Sequence, residues 1–142
     1  MQQLDVNQTI LIVVGSDINP EEKDRPLAYY LKQAIEKSPE YGSLPFRKCI
    51  VISDSLYESD KIIQICPTIS IGGPGVNALA ARLAEKLPIQ ISKDDQFFVQ
   101  YNENGGDSIV SIWGMDHETT KAAVELYIQD GYLDNFIKKV WV

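Results

Sequence analysis

One histidine, two cysteines and no apolar run long enough to cross a bilayer are what first constrain this 142-residue chain. With His117 alone and no Cys/His cluster, the sequence argues against a structural zinc site. Cys49 and Cys66 lack CxxC spacing and abut or lie in apolar stretches, so they read as buried, reduced thiols and predict a cytoplasmic location. No window supplies the ~20 apolar residues of a membrane span. The N-terminal stretch "MQQLDVNQTILIVVG" has no basic segment before its apolar run, which reads as a strand and not as a signal peptide. Positive charge is also scarce. The 13 Lys and Arg face 20 Asp and Glu, a net charge of −7, which argues against nucleic acid or an anionic membrane surface as partner. There is no internal repeat, low-complexity tract or linker, so residues 1–142 are expected to form one domain.

What remains is an ordinary globular composition, 44% apolar and 23% charged, with a strand-helix rhythm. Thr9–Val14 ("TILIVV"), Lys48–Ile52 ("KCIVI") and Pro67–Ile71 ("PTISI") are continuous apolar runs, the pattern of strands covered on both faces in a parallel sheet. The first is followed by a helix predicted from Pro26 to Lys37, where Leu27, Tyr30, Leu31, Ala34 and Ile35 make one apolar stripe and Pro26 suits the first turn. A short polar helical turn is expected within Leu56–Ile65, and a helix over Val76–Lys86. The rhythm then changes: Pro88–Ile91, Asp95–Tyr101 and Ser108–Trp113 read as strands without intervening helices. Asn104-Gly105-Gly106-Asp107 is a hairpin signal between the last two. Asp116 caps a helix running to about Gln129, and helical spacing resumes from Leu133 to Trp141. The fold class is therefore α/β: a three-layer, Rossmann-like domain with a mostly parallel sheet and a β-hairpin region on one edge.

In such a sheet, ligands lie beyond the carboxyl ends of the strands. Four stretches meet that condition: Gly15-Ser16-Asp17, Ser53-Asp54-Ser55, Gly72 to Asn77, and Gly114 to His117. The glycines Gly72, Gly73 and Gly75 permit positive φ and close backbone approach, and a helix N-terminus follows with free amides suited to an anion or a ribose hydroxyl. The turn matches neither the dinucleotide nor the Walker fingerprint. Asp17, Asp54 and Asp116 bring carboxylates to the rim with no Lys or Arg in the four stretches. A di- or triphosphate there requires Mg²⁺, whereas a neutral polyol or nucleoside needs no such help. Each Asp also fits a plain capping role. His117, at a helix N-terminus, has the chemistry of a neutral general base and equally the position of a surface histidine. The candidate ligand-binding residues are Ser16, Asp17, Asp54, Gly72, Gly73, Gly75, Asn77, Asp116 and His117, with a nucleoside, nucleotide or sugar phosphate as ligand. No catalytic residue, cofactor or metal is assigned. Nucleophilic catalysis has no support, because no G-x-S-x-G elbow is present and Cys66 lies at a strand start, away from the rim.

Gly72, Gly73, Pro74 and Asn77, followed by Gly114, Asp116, Glu118 and Thr119, carry a resemblance. An apolar strand entering a GGP-x-x-N turn and helix, then a later strand ending before an acidic-Thr helix start, resembles the α/β domain of archaeal surface-layer proteins. It is more loosely similar to cell-wall-binding repeats. The likeness covers the second half of the chain and implies that the two glycine turns lie side by side. Three functional readings follow: a small-ligand binder at the rim, a nucleoside- or nucleotide-processing enzyme resembling deoxyribosyltransferase-like proteins, and a structural or protein-interaction subunit. The last requires Phe136 and Trp141 to be exposed. The apolar ending Val140, Trp141 and Val142 is expected to pack on the domain or on a second copy in a homodimer.

Overall fold

All six residues of Thr9–Val14 are buried, and they form the strand β1. Ile10, Ile12 and Val14 face one core layer while Leu11 and Val13 face the other, so an unbroken apolar run is what this position demands. The computed structural model describes residues 5–42, 47–102 and 108–141. The remaining strands are β2 (Lys48–Ser53), β3 (Thr68–Ile71), β4 (Ile89–Lys93), β5 (Phe97–Tyr101) and β6 (Ile109–Gly114). The helices are α1 (Ile18–Glu36), α2 (Pro39–Gly42), α3 (Asp54–Ser59), α4 (Ala78–Leu83), α5 (His117–Gln129) and α6 (Tyr132–Val140).

The strands make one six-stranded sheet in the order β2-β1-β3-β6-β5-β4. The first four are mutually parallel neighbours, and β5 and β4 extend the sheet antiparallel at the edge, as the sequence predicts. Helices α1, α5 and α6 cover one face through Leu27, Leu31, Ala123, Val124, Leu133 and Ile137. The other face is covered by α3 and α4 through Tyr57, Leu79 and Leu83. This is the expected three-layer α/β architecture.

Several local expectations are corrected. The first helix begins at Ile18 and contains Pro26. The segment before Pro26 carries no apolar stripe, so periodicity missed it. The helix tolerates the lost backbone bond at Pro26 because the turns beyond it bury Leu27, Ala28, Leu31 and Ile35. The polar turn after β2 splits into α3 and a 3-10 turn at Ile63–Ile65, with the Asp60 side chain accepting from the Ile62 amide at 2.9 Å between them. Helix α4 is shorter than predicted, leaving Val76 in the turn and 40% exposed. The reversal between β4 and β5 takes three residues, Asp94 to Gln96, of which Asp94 and Asp95 are at positive φ (52° and 53°), a turn made without glycine. The hairpin signal at 104–107 lies outside the described residues; the strands on either side of it pair antiparallel.

The C-terminal apolar residues pack on their own domain. Phe136 is 8% and Trp141 3% exposed, which removes the exposure that the interaction reading required. Trp141 lies 5.9 Å from the Tyr41 ring, and the Arg47 guanidinium sits over its ring at 5.3 Å while donating to its carbonyl at 3.2 Å. Val142 is outside the described residues. Burial pushes the Cys49 thiol up to about 12 and the Cys66 thiol up to about 11, so both are poor nucleophiles.

Candidate binding cleft at the strand-end rim

The chain leaves β1 towards one neighbour, β2, and later towards the other, β3, so the crevice expected to take ligand lies between the ends of β1 and β3. Here that crevice is filled by the protein itself. Asn77, 1% exposed, caps α4 by accepting from the amides of Leu79 (2.9 Å) and Ala80 (3.3 Å). Its amide nitrogen donates to the carbonyls of Val13 (3.2 Å) and Ile71 (2.9 Å) and to Ser70 Oγ (3.1 Å). One side chain thereby joins β1, β3 and α4. Asp54, also buried, accepts from the Ala78 amide at 2.8 Å through one oxygen and from the Ser16 hydroxyl through the other. Ser16 also meets Ser55 Oγ at 2.9 Å.

The amides of Ala78, Leu79 and Ala80 are the ones a phosphate would need, and all three are engaged by Asp54 and Asn77. Those of Val76 and Asn77 close the turn onto the Gly73 carbonyl at 3.1 and 3.0 Å. The start of α4 after the glycine turn is therefore already capped from within the chain, by the side chains of Asp54 and Asn77. Asp17 stands at the N-cap of α1, exposed, and its side chain makes no capping bond.

One strand further along, between the ends of β3 and β6, the rim opens. A cleft of about 410 Å³ is walled by Gly73 to Val76 on one side, Trp113 to His117 with Thr120 on another, and Lys23 and Asp24 of α1. Its size lies within the ordinary range of small-molecule sites, about 300–1,000 Å³. The two glycine turns are side by side, as the resemblance implied. Asp116 forms a capping box with Thr119: the Thr119 amide donates to Asp116 Oδ1 at 2.8 Å and the Asp116 amide to Thr119 Oγ1 at 3.0 Å. The Thr119 amide and the Thr119 hydroxyl, at 2.9 Å, both donate to Asp116 Oδ1 and hold its carboxyl below the usual range. Gly114 is required by contact rather than by φ, since a Cβ there would run into Thr119 and the Thr120 backbone. Gly72 has φ +108° and lies under Asp24, whose Oδ2 would sit 2.7 Å from an added Cβ. Gly73 and Gly75 have no positive φ, and an added Cβ at Gly75 meets nothing within 4 Å.

Asp24 is the site residue that sequence reasoning missed. It is 7% exposed, lines the cleft, and has no hydrogen-bond partner among the described residues. Burial pushes its carboxyl up, with the charges of His117 and Lys23 opposing. His117 shares the cleft, and its Nδ1 is buried without a hydrogen-bond partner among the described residues. A polar segment beyond the predicted helix gave no reason to single out Asp24; only the extension of α1 brings it over Gly72. The nine candidates thus separate. Ser16, Asp54 and Asn77 form the closed network; Gly73, Gly75, Asp116 and His117 line the cleft; Gly72 lies under Asp24 at its base; Asp17 joins neither. A smaller cleft of about 280 Å³ at the opposite end of the sheet, beside Tyr101, Tyr127 and Tyr132, holds no carboxylate or imidazole.

Among the described residues, no group of three or more His, Cys, Asp or Glu is placed to hold a metal ion, and no helix is long and apolar enough to cross a membrane. Residues 46–130, from just before β2 to the end of α5, match a family described as "S-layer like family, outer domain". No curated protein matches the chain.

Proposed function

Since the chain belongs to the S-layer like family, outer domain, we propose that its strand-end rim is a binding platform and not a reaction centre, and that the cleft between β3 and β6 takes a small neutral ligand. The observation carrying this reading is Asp24, a buried carboxylate aimed into a cleft with no partner of its own. A carboxylate that faces an open cleft without a protein donor is available to a ligand that donates hydrogen bonds in place of water. The other rim carboxylates are engaged: Asp54 with Ser16 and the α4 amides, Asp116 in its capping box. Neither is free to act on a glycosidic bond, so the transferase-like alternative loses the pair of carboxylates it needs. Free phosphates meet Asp24 and Asp116 in the cleft and occupied amides at α4, which leaves neutral sugars and nucleosides favoured over nucleotides.

A thermal-shift panel of neutral sugars, nucleosides and nucleotides tests the reading. Neutral ligands raise the Tm, by about 2.7 kcal/mol of stabilisation at 100 times Kd, and nucleotides do so only with Mg²⁺. Stabilisation by inorganic phosphate alone, or by nucleotides without metal, overturns it.

The family description favours a second reading, a contact domain in a surface-layer-type assembly. Met115 and Val76, 65% and 40% exposed beside the cleft, supply apolar contact area for such a role, including self-association as a homodimer. Sedimentation at rising protein concentration separates the two: a monomer that binds sugars supports the first, a concentration-dependent dimer the second. The buried thiols suit a reducing, cytoplasmic compartment, whereas the family description points to a cell surface; fractionation of source cells decides between them.

A further inference from the structure

We propose that the cleft recognises a vicinal diol, the paired hydroxyls of a ribose or of a pyranose ring, with Asp24 accepting a hydrogen bond from each hydroxyl. This rests on the reading of the rim as a small-ligand site and names the ligand's chemistry. An ionised carboxylate is acceptor-only, with two oxygens disposed to take two parallel donors, and Asp24 has both free among the described residues. A guanidinium or ammonium would also supply donors, but Lys23 stands on the same wall. A phosphate would meet Asp24 and Asp116 together. Paired hydroxyls supply the donors with no net charge, and so avoid both penalties.

The remaining wall fits the carbon side of a sugar. Trp113 lies against Gly73, 3.5 Å from where a Cβ would stand, and its indole N–H is already donated to Gln100 at 2.7 Å. The indole is packed on Phe98, with ring centroids 4.6 Å apart, so it offers the cleft a fixed apolar surface and no competing polar group. Pro74, Val76 and Met115 continue that surface. Gly73 keeps the turn low enough for the ring of a ligand to lie over it. Asp24 comes from α1, outside the matched residues 46–130, so diol recognition is a property of this chain's own first helix joined to the family's glycine turns.

Isothermal titration with four probes tests the proposal. Uridine and 2′-deoxyuridine form one arm; methyl α-D-mannopyranoside and its 2-deoxy counterpart form the other, so that a nucleoside source and a glycan source are told apart. The expected result is that the diol-bearing probe of one arm binds wild type and its deoxy counterpart binds at least about tenfold more weakly. Asp24→Asn should lose the same factor while its Tm does not fall, since burial disfavours the charged form of Asp24 more than His117 and Lys23 favour it. Asp134→Asn, an exposed carboxylate on α6, should bind as wild type does. If a deoxy probe binds as tightly as its parent, diol recognition is overturned and the cleft still binds ligand. If Asp24→Asn binds the diol probes unchanged, the assignment to Asp24 is overturned. If no probe of either arm binds wild type at millimolar concentration, the diol proposal falls. The broader reading then falls too unless another neutral member of the thermal-shift panel binds.

Discussion

The two halves of the strand-end rim are built from similar residues and end in opposite states. Between β1 and β3, an Asp, an Asn and a Ser converge on the start of α4 and satisfy one another and the local backbone. Between β3 and β6, an Asp and a His converge on a cleft and find no hydrogen-bond partner among the described residues. In the closed half the polar groups are close enough to bond; in the open half the glycine turns hold the backbone back and leave a space. Polar residues at strand ends therefore do not mark a binding site by their presence. Their unmet hydrogen-bonding capacity does so.

The largest way to break this comparison is at Asn77. Removing its side chain with Asn77→Ala takes a donor from carbonyls of β1 and β3 and the cap from two α4 amides, so the loss should reach about 3 kcal/mol, well beyond the ~1 kcal/mol of a simple cap. Urea unfolding measures it; a loss of ~1 kcal/mol or less would mean that the closed half is not held by this residue.

A smaller effect contrasts the two carboxylates of the open half. Asp116 is lowered from the usual value of 3.8 by bonds from Thr119, so its contribution is present above 3.8 and is lost as the pH falls through its lowered folded value. Asp24 is raised by burial, so the folded state loses stability as the pH climbs from 3.8 through its raised value. Asp24→Asn should accordingly raise the Tm at pH 7, with the gain shrinking towards pH 3. Asp116→Asn, which keeps a competent cap, should lower the Tm slightly at pH 7 and not at all in strong acid. Thermal melts of the three proteins across pH read both signs; equal signs would contradict the contrast.

The smallest effect is the sharpest for glycine. Gly75→Ala should change stability by less than about 0.5 kcal/mol, because neither φ nor a neighbour requires glycine there. A large loss on urea unfolding would show that the turn needs glycine at this position for its own sake.

The sheet was legible from the sequence because unbroken apolar runs such as Thr9–Val14 have few other homes than a doubly covered parallel strand. The capping role of Asp116 was legible for a similar reason, since the residue and its Thr partner are three apart in the chain. Asn77 and Asp54 were picked out as polar groups at strand ends, but their partners come from β1 and α4, tens of residues away in the chain, and no local pattern reports whether such partners are met. Asp24 was illegible. Helical periodicity began after it, and its burial depends on the packing of α1 over Gly72.

Hydrogen exchange at Ala78, Leu79 and Ala80 tests the division of the rim most directly. The first amides of a helix ordinarily exchange fast, because no residue of the helix accepts from them. Here Asp54 and Asn77 accept from all three, and the account predicts protection approaching that of the β1 and β3 core, with the Gly75 amide exchanging freely. Fast exchange at Ala78 and Leu79, slowed by inorganic phosphate, would show that the closed half is open to ligand and would contradict the account.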